Sequence, residues 1–181
     1  AFAAVLGFGA QTANAQSLSP STKWHWDKGT IVVETPARPA GQKNVLGLKL
    51  PKYKTVRIGL VGLGMRGPGA VDNFCVLPGV EIVALCDFVE ARAVAQNEKL
   101  RKRGLPPAAI YSGENGYKEL CARPDIDLVY IATDWAHHFP VAECALKHGK
   151  NVADEVPSAM NLEECWKLVD LSEKMQKNCM I

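Results

Sequence analysis

From Thr55 onward, short apolar runs alternate with longer amphipathic ones. Thr55–Val61 (TVRIGLV) is apolar and β-branched, which predicts a buried strand. A glycine-rich stretch follows, then a helix opening near Pro68, a residue suited to a first turn. Val80–Cys86 predicts a second strand and Glu90–Arg103 a helix. Ala109–Tyr111 predicts a short third strand, and a helix falls around Asn115–Cys121. Ile126–Ala132 (IDLVYIA) is the fourth strand, and Phe139–His148 a helix closed by Gly149. Asn151–Ala153 makes a fifth strand. Asn161, with Glu164 three residues on, caps a further helix whose expected buried face is Leu162, Cys165, Trp166 and Val169. Cys179-Met180-Ile181 reads as the start of a sixth strand, cut short.

Strands alternating with helices imply right-handed crossovers and a parallel sheet covered on both faces. The predicted class is therefore α/β, a Rossmann doubly wound sheet in the order 3-2-1-4-5-6. Ligand would bind outside the strand C-termini, where the order reverses. Three segments result: 1–15, an arm over 16–51, and the sheet domain over 52–181. In the arm, Pro20, Pro36, Pro39, Gly29, Gly41 and Gly47 break any period. Trp24 and Trp26 flank His25 there and are expected to pack on the domain; His25 alone makes no metal site.

Composition narrows this picture. Of 181 residues, 48% are hydrophobic and 22% charged, the balance of a globular protein. A net charge of +2 provides no field for nucleic acid or an anionic membrane. The basic group Lys99, Arg101, Lys102 and Arg103 sits where cations complement a helix C-terminus. Ala1–Ala15 (AFAAVLGFGAQTANA) has the apolar run and small-residue cleavage site of a secretory signal, with cleavage before Gln16. That run is short of the roughly 20 apolar residues of a membrane span. Six cysteines show no CxxC and fall mostly on apolar faces, as buried thiols do. Free thiols and a nucleotide cofactor suit export after folding, to the periplasm by a twin-arginine route whose arginines would precede residue 1.

Gly62-Leu63-Gly64-Met65-Arg66-Gly67 fits G-x-G-x-x-G between a strand and a helix. Gly62 permits the tight turn, Gly64 the approach of a pyrophosphate, and Gly67 close helix–strand packing. The helix N-terminus then faces the phosphates, and Arg66 is placed to add a charged contact. Asp87 lies 20 residues after Gly67, at a strand C-terminus. A carboxylate there accepts from the adenosine ribose and repels a 2′-phosphate, which favours NAD over NADP. Capping the next helix is its other possible use. Thr133-Asp134-Trp135-Ala136-His137-His138 and Asp154-Glu155-Val156-Pro157 also follow strand ends, where cofactor or substrate would lie.

GLGMRG, EIVALCD, TDWAHH and EVP together resemble the Gfo/Idh/MocA family of sugar oxidoreductases. PARPAG, TVRIGLVGLGMRGPGA, IDLVYIATDW and EVPSAMNLEECWKLVDLSEK more narrowly resemble glycoside hydrolase family 109, the NAD-dependent N-acetylgalactosaminidases, across roughly Pro36–Ile181. Two departures from the broad family stand out. It usually shows E-K-P, whose lysine assists proton transfer, where this chain has Val156; it shows Pro-Asn where this chain has Asp134-Trp135. Both departures fit the glycosidase branch.

The resemblance implies oxidation at the sugar C3, elimination of the aglycone, water addition at C1 and return of the hydride, with NAD recycled. It implies cofactor contacts from Gly62, Gly64, Met65, Arg66, Gly67, Asp87, Thr133, Trp135, His138, Glu155 and Val156. His138 is open to a catalytic or a supporting role, while His137 and His148 are expected at the surface or a helix end. An α+β substrate domain beyond Ile181 would supply the catalytic groups and the contacts to a small-molecule or glycan substrate. A homo-oligomer is compatible with the sequence, and no metal site is expected. A net sugar oxidoreductase and a non-catalytic sugar- or NAD-binding module are the alternatives.

Overall fold

The computed structural model describes residues 24–33 and 37–181. The expected signal segment lies outside them. Strands β3 (Val56–Val61), β4 (Val80–Asp87), β5 (Ala109–Ser112), β6 (Leu128–Ile131), β7 (Asn151–Asp154) and β8 (Cys179–Met180) form one parallel sheet in the order β5-β4-β3-β6-β7-β8. Counted from β3, that is the expected 3-2-1-4-5-6 order. Helices α1 (Gly67–Phe74), α2 (Glu90–Lys102), α3 (Gly116–Ala122), α4 (Trp135–Lys147) and α5 (Leu162–Met175) alternate with the strands. The earlier strands, β1 (Trp24–Asp27) and β2 (Thr30–Val33), form a separate antiparallel hairpin.

Both sheet faces are buried, so side-chain alternation divides each strand between two cores. Ile58 and Leu60 of β3, with Ile82 and Leu85 of β4, pack beneath Val71, Ala93 and Leu100 of α1 and α2. Val61, Ala84, Cys86, Val129, Ile131 and Val152 face Leu120, Val141, Ala145, Leu146 and Leu168 of α3, α4 and α5. Each fully buried aliphatic side chain contributes about 1.5–3 kcal/mol. The two clusters are therefore what hold five helices on one sheet. Gly59 lets α3 approach: a Cβ there would lie 2.8 Å from Leu120 Cδ2.

Four expectations change. The arm is not wholly irregular: Lys28 (φ 47°) and Gly29 (φ 82°) link β1 to β2, and a two-residue turn with both φ values positive closes a hairpin. Trp24 and Trp26 do not pack on the domain but are 47% and 63% exposed. Helix α4 begins at Trp135 rather than Phe139. The Asp134 carboxylate accepts the Ala136 N–H at 3.0 Å and caps it, and Pro140 is tolerated inside the helix at the loss of one backbone donor. The buried face of α5 is turned from the expected one. Leu168, Ser172 and Glu173 are buried, Trp166 is half-buried, and Cys165 and Val169 are exposed.

The last shift has a polar cause. Arg38 grips Glu173 with two hydrogen bonds of 2.8 and 2.9 Å, and Gln42 adds a third at 3.0 Å. The arm thus lies on α5 and covers a carboxylate that periodicity would have placed in water. All six cysteines are free; Cys86 and Cys121 are buried, Cys75, Cys144 and Cys179 half-buried, and Cys165 exposed.

Candidate cofactor site

The strand pairings carry the expected segments to one edge. Val61 pairs with Cys86 and Ile131, and Ile131 with Asp154. The Gly62–Gly67 loop, Asp87, Thr133 and Glu155 therefore leave the sheet side by side at its C-terminal end. The first and last of the three glycines are there because no other residue fits. Gly62 has φ 92°, and a Cβ on it would lie 2.4 Å from the Ala132 carbonyl oxygen. One on Gly67 would lie 2.1 Å from the Gly62 oxygen. At Gly64 the nearest neighbour would be the Arg92 guanidinium, 3.6 Å away. The middle glycine is thus unconstrained by the fold, which leaves its backbone open to a ligand.

Helix α1 starts directly after this loop with no side-chain cap and no acidic residue in its first turn. Its N-terminal dipole is left to an outside anion. Met65 is 92% exposed at the loop's apex, and Arg66 stands exposed beside it.

Asp87 is buried, and its carboxylate binds the loop rather than capping α2, whose N-cap is Val89. Oδ2 accepts the Leu63 N–H at 2.7 Å; Oδ1 accepts the Val89 N–H at 2.9 Å and an Arg92 N–H at 3.4 Å. An ionised carboxylate has about four acceptor positions, so capacity remains for a ribose hydroxyl. Arg92 was not legible as a site residue. Its place over Gly64 and Asp87 depends on α2 folding back across β4.

On the other side of the loop, Thr133 and Trp135 follow β6, and Glu155 and Val156 follow β7. Trp135 is 62% and Val156 68% exposed. The Tyr130 hydroxyl donates to Glu155 Oε1 at 2.7 Å, and burial together with that carboxylate pushes the phenol up to about 12. His138 does not face the cleft. It is buried, its Nε2 3.2 Å from the Thr133 carbonyl oxygen and its Nδ1 2.8 Å from Asp154 Oδ1. That places it behind the segments that follow β6 and β7. His137 is exposed and paired with Asp134 at 2.7 Å, and His148 caps the end of α4, as expected of both. Among the described residues no cluster of metal-ligating side chains occurs.

The loop, the open helix end and the tethered carboxylate fit a dinucleotide by geometry alone. Residues 56–181 match the family model GFO_IDH_MocA, described as an oxidoreductase family with an NAD-binding Rossmann fold. The chain belongs to the Gfo/Idh/MocA family. Its relatives include glycosyl hydrolase family 109 protein 5 of Phocaeicola vulgatus, 65% identical over 171 residues, 94% of this chain and 33% of the relative. Family 109 protein 3 of the same organism is 68% identical over 167 residues, 92% of this chain and 30% of the relative. The chain thus spans about a third of the length of these relatives.

Among solved structures, myo-inositol dehydrogenase from Lactobacillus casei, in complex with NAD(H) and myo-inositol, is 30% identical with TM-score 0.57 over 65% of this chain and 33% of that one. A biliverdin reductase from Synechocystis sp. PCC 6803, with biliverdin and NADP+, is 27% identical with TM-score 0.61 over 69% and 37%. The family's Rossmann fold is NAD-binding, its solved neighbours hold NAD or NADP, and the residues at the C-terminal sheet edge of this chain fit NAD. No helix among the described residues is long and apolar enough to cross a membrane.

Proposed function

We propose that this chain is the NAD-holding part of a glycosidase acting on terminal N-acetylgalactosamine, with NAD recycled rather than consumed. The observation that carries the reading is Val156. It stands exposed at the C-terminal edge of β7, where the broad family's proton-transferring lysine is expected, and a valine side chain can neither give nor take a proton. Relatives named as family 109 glycosyl hydrolases, 65% and 68% identical, support the same branch.

Bound NAD would supply a hydride acceptor and donor for the sugar C3. This chain's residues would hold it: the Gly62–Gly67 backbone and Arg66 at the pyrophosphate, and Asp87 at the ribose. Met65, Thr133, Trp135, Glu155 and Val156 would shape and dry the nicotinamide side. His138 would support that surface from behind. The groups that move protons at the sugar would come from the remaining two thirds of the relatives' length, so residues 16–181 alone should bind NAD weakly and cleave no glycoside. Ala1–Ala15 supports export of the whole protein, testable by cell fractionation and by an N-terminus at Gln16.

The deciding experiment supplies the full-length protein with an aryl N-acetylgalactosaminide and NAD. Release of the phenol without accumulating NADH is expected. NADH rising in step with product would overturn the hydrolase reading and favour a net sugar oxidoreductase. Intact NAD binding with no turnover would favour a binding module.

A further inference from the structure

The largest fully buried side chains among the described residues are apolar with one exception, His138. Its two ring nitrogens meet two oxygens. The Thr133 carbonyl only accepts, so the 3.2 Å contact requires hydrogen on Nε2. Nδ1 also lies 2.8 Å from Asp154 Oδ1, off the line of a straight hydrogen bond but too close for two facing lone pairs, and a proton on either atom relieves that repulsion. A neutral ring facing an ionised Asp154 has one N–H for two acceptors, and one contact then sets a lone pair against an oxygen. One more proton satisfies both contacts, as imidazolium with carboxylate or as imidazole with carboxylic acid.

Bulk solvent does not reach the pair, whose two side chains are 2% and 0% exposed. His138 Nδ1, both Asp154 oxygens and the buried Ser158 hydroxyl all lie close together without a well-aligned hydrogen-bond partner.

The pair joins two cofactor-facing segments. Asp154 ends β7 immediately before Glu155 and Val156. His138 lies one turn of α4 beyond Trp135 and reaches back to Thr133 at the end of β6. We propose that His138 and Asp154 are a positioning pair, sharing one buried proton that fastens the β6 and β7 loops together so that both can contact NAD. This rests on the reading of those loops as NAD contacts.

Burial pushes the Asp154 carboxyl up to about 6, opposed by Ser158 and His138, while the neighbouring Glu155 charge adds to the rise. Asp154 also acts on Tyr130 of β6 and Cys179 of β8. A raised value means that the proton is held at low pH and lost as pH rises from about 6 upward. The lock therefore loosens on the alkaline side.

The test has two arms on the 181-residue chain. Without NAD, nitrogen-15 NMR of labelled histidines should show protected hydrogens assignable to His138 at acid pH that disappear as pH rises. Calorimetric titration with NAD should show the dissociation constant rising about tenfold between about pH 5.5 and 8.5, the equivalent of one charge-assisted hydrogen bond. In Asp154→Asn an amide N–H can serve Nδ1 permanently, so the affinity seen at acid pH in the unaltered chain should persist with no pH slope. Asp154→Ala should bind weakly at every pH.

A flat profile in the unaltered chain overturns the proposal, as does a slope retained in Asp154→Asn. A slope abolished by His137→Gln, which changes the exposed neighbour, overturns it too. Should the Asp154 variants fail to fold by circular dichroism, absence of the protected ring hydrogens in the unaltered chain overturns it. NAD binding absent at every pH, with the ring signature intact, overturns the cofactor reading and the loop fastening with it, and leaves the shared proton standing.

Discussion

The two edges of one sheet are finished differently. At the N-terminal edge the charges are matched. Arg57 donates to Asp127 through its backbone N–H, Nε and Nη2 at 2.9, 3.0 and 2.9 Å. Arg123 grips Asp125 and donates to the Tyr111 hydroxyl, and Lys150, buried, donates to the Arg123 carbonyl oxygen. At the C-terminal edge, Met65, Phe88, Trp135, Val156 and Met160 are exposed, and His138, Asp154 and Ser158 carry buried polar atoms without aligned partners. The first edge is complete as it stands. The second stores unsatisfied polar groups and bare apolar surface around an uncapped helix, as a binding edge does.

If that contrast is right, damage at the two edges must separate stability from cofactor binding. Gly67→Ala should do the most harm, because its Cβ would meet the Gly62 carbonyl oxygen at 2.1 Å and neither backbone can yield. A loss of about 3 kcal/mol or more in denaturant unfolding is expected, with NAD binding lost. Asp127→Ala, at the closed edge, should cost about 2 kcal/mol and leave the NAD dissociation constant unchanged. Arg57 holds the Asp127 carboxyl below its usual value. The stability it contributes is thus present above about pH 4 and lost as pH falls through the lowered value; the variant should show a shallower acid transition.

Asp87→Ala should instead weaken NAD about tenfold while sparing NADP, since Arg92 is released beside the position a 2′-phosphate would take. Titration with both dinucleotides reads this directly, and an equal loss for the two would remove Asp87 as the selector. Arg38→Ala should have the smallest effect. It frees the arm from Glu173, giving faster proteolysis near Arg38 and unaltered NAD binding.

The order of the six parallel strands and the place of the glycine loop were legible from residue 55 onward, because both depend on local pattern. Apolar runs must be strands when glycine and helix caps bound them, and parallel strands need right-handed crossovers. Gly62, Gly67 and Asp87 were legible for the same reason, since a strand, a turn and a helix leave few residues able to occupy those positions. The hairpin at Trp24–Val33 was signalled only by Lys28-Gly29, a pair less diagnostic than Asn-Gly. The start of α4 was masked by Pro140, which ordinarily marks a helix boundary.

What tertiary structure alone decided lies in pairs distant along the chain: Arg38 with Glu173, Arg92 over Gly64, and His138 with Asp154. Periodicity reports which face of an element is apolar. It carries no information about which polar groups the fold will enclose together, because that depends on how elements far apart in sequence cross. Sequence determined the sheet and the edge where NAD fits. The fold decided which buried charges and protons hold that edge in shape.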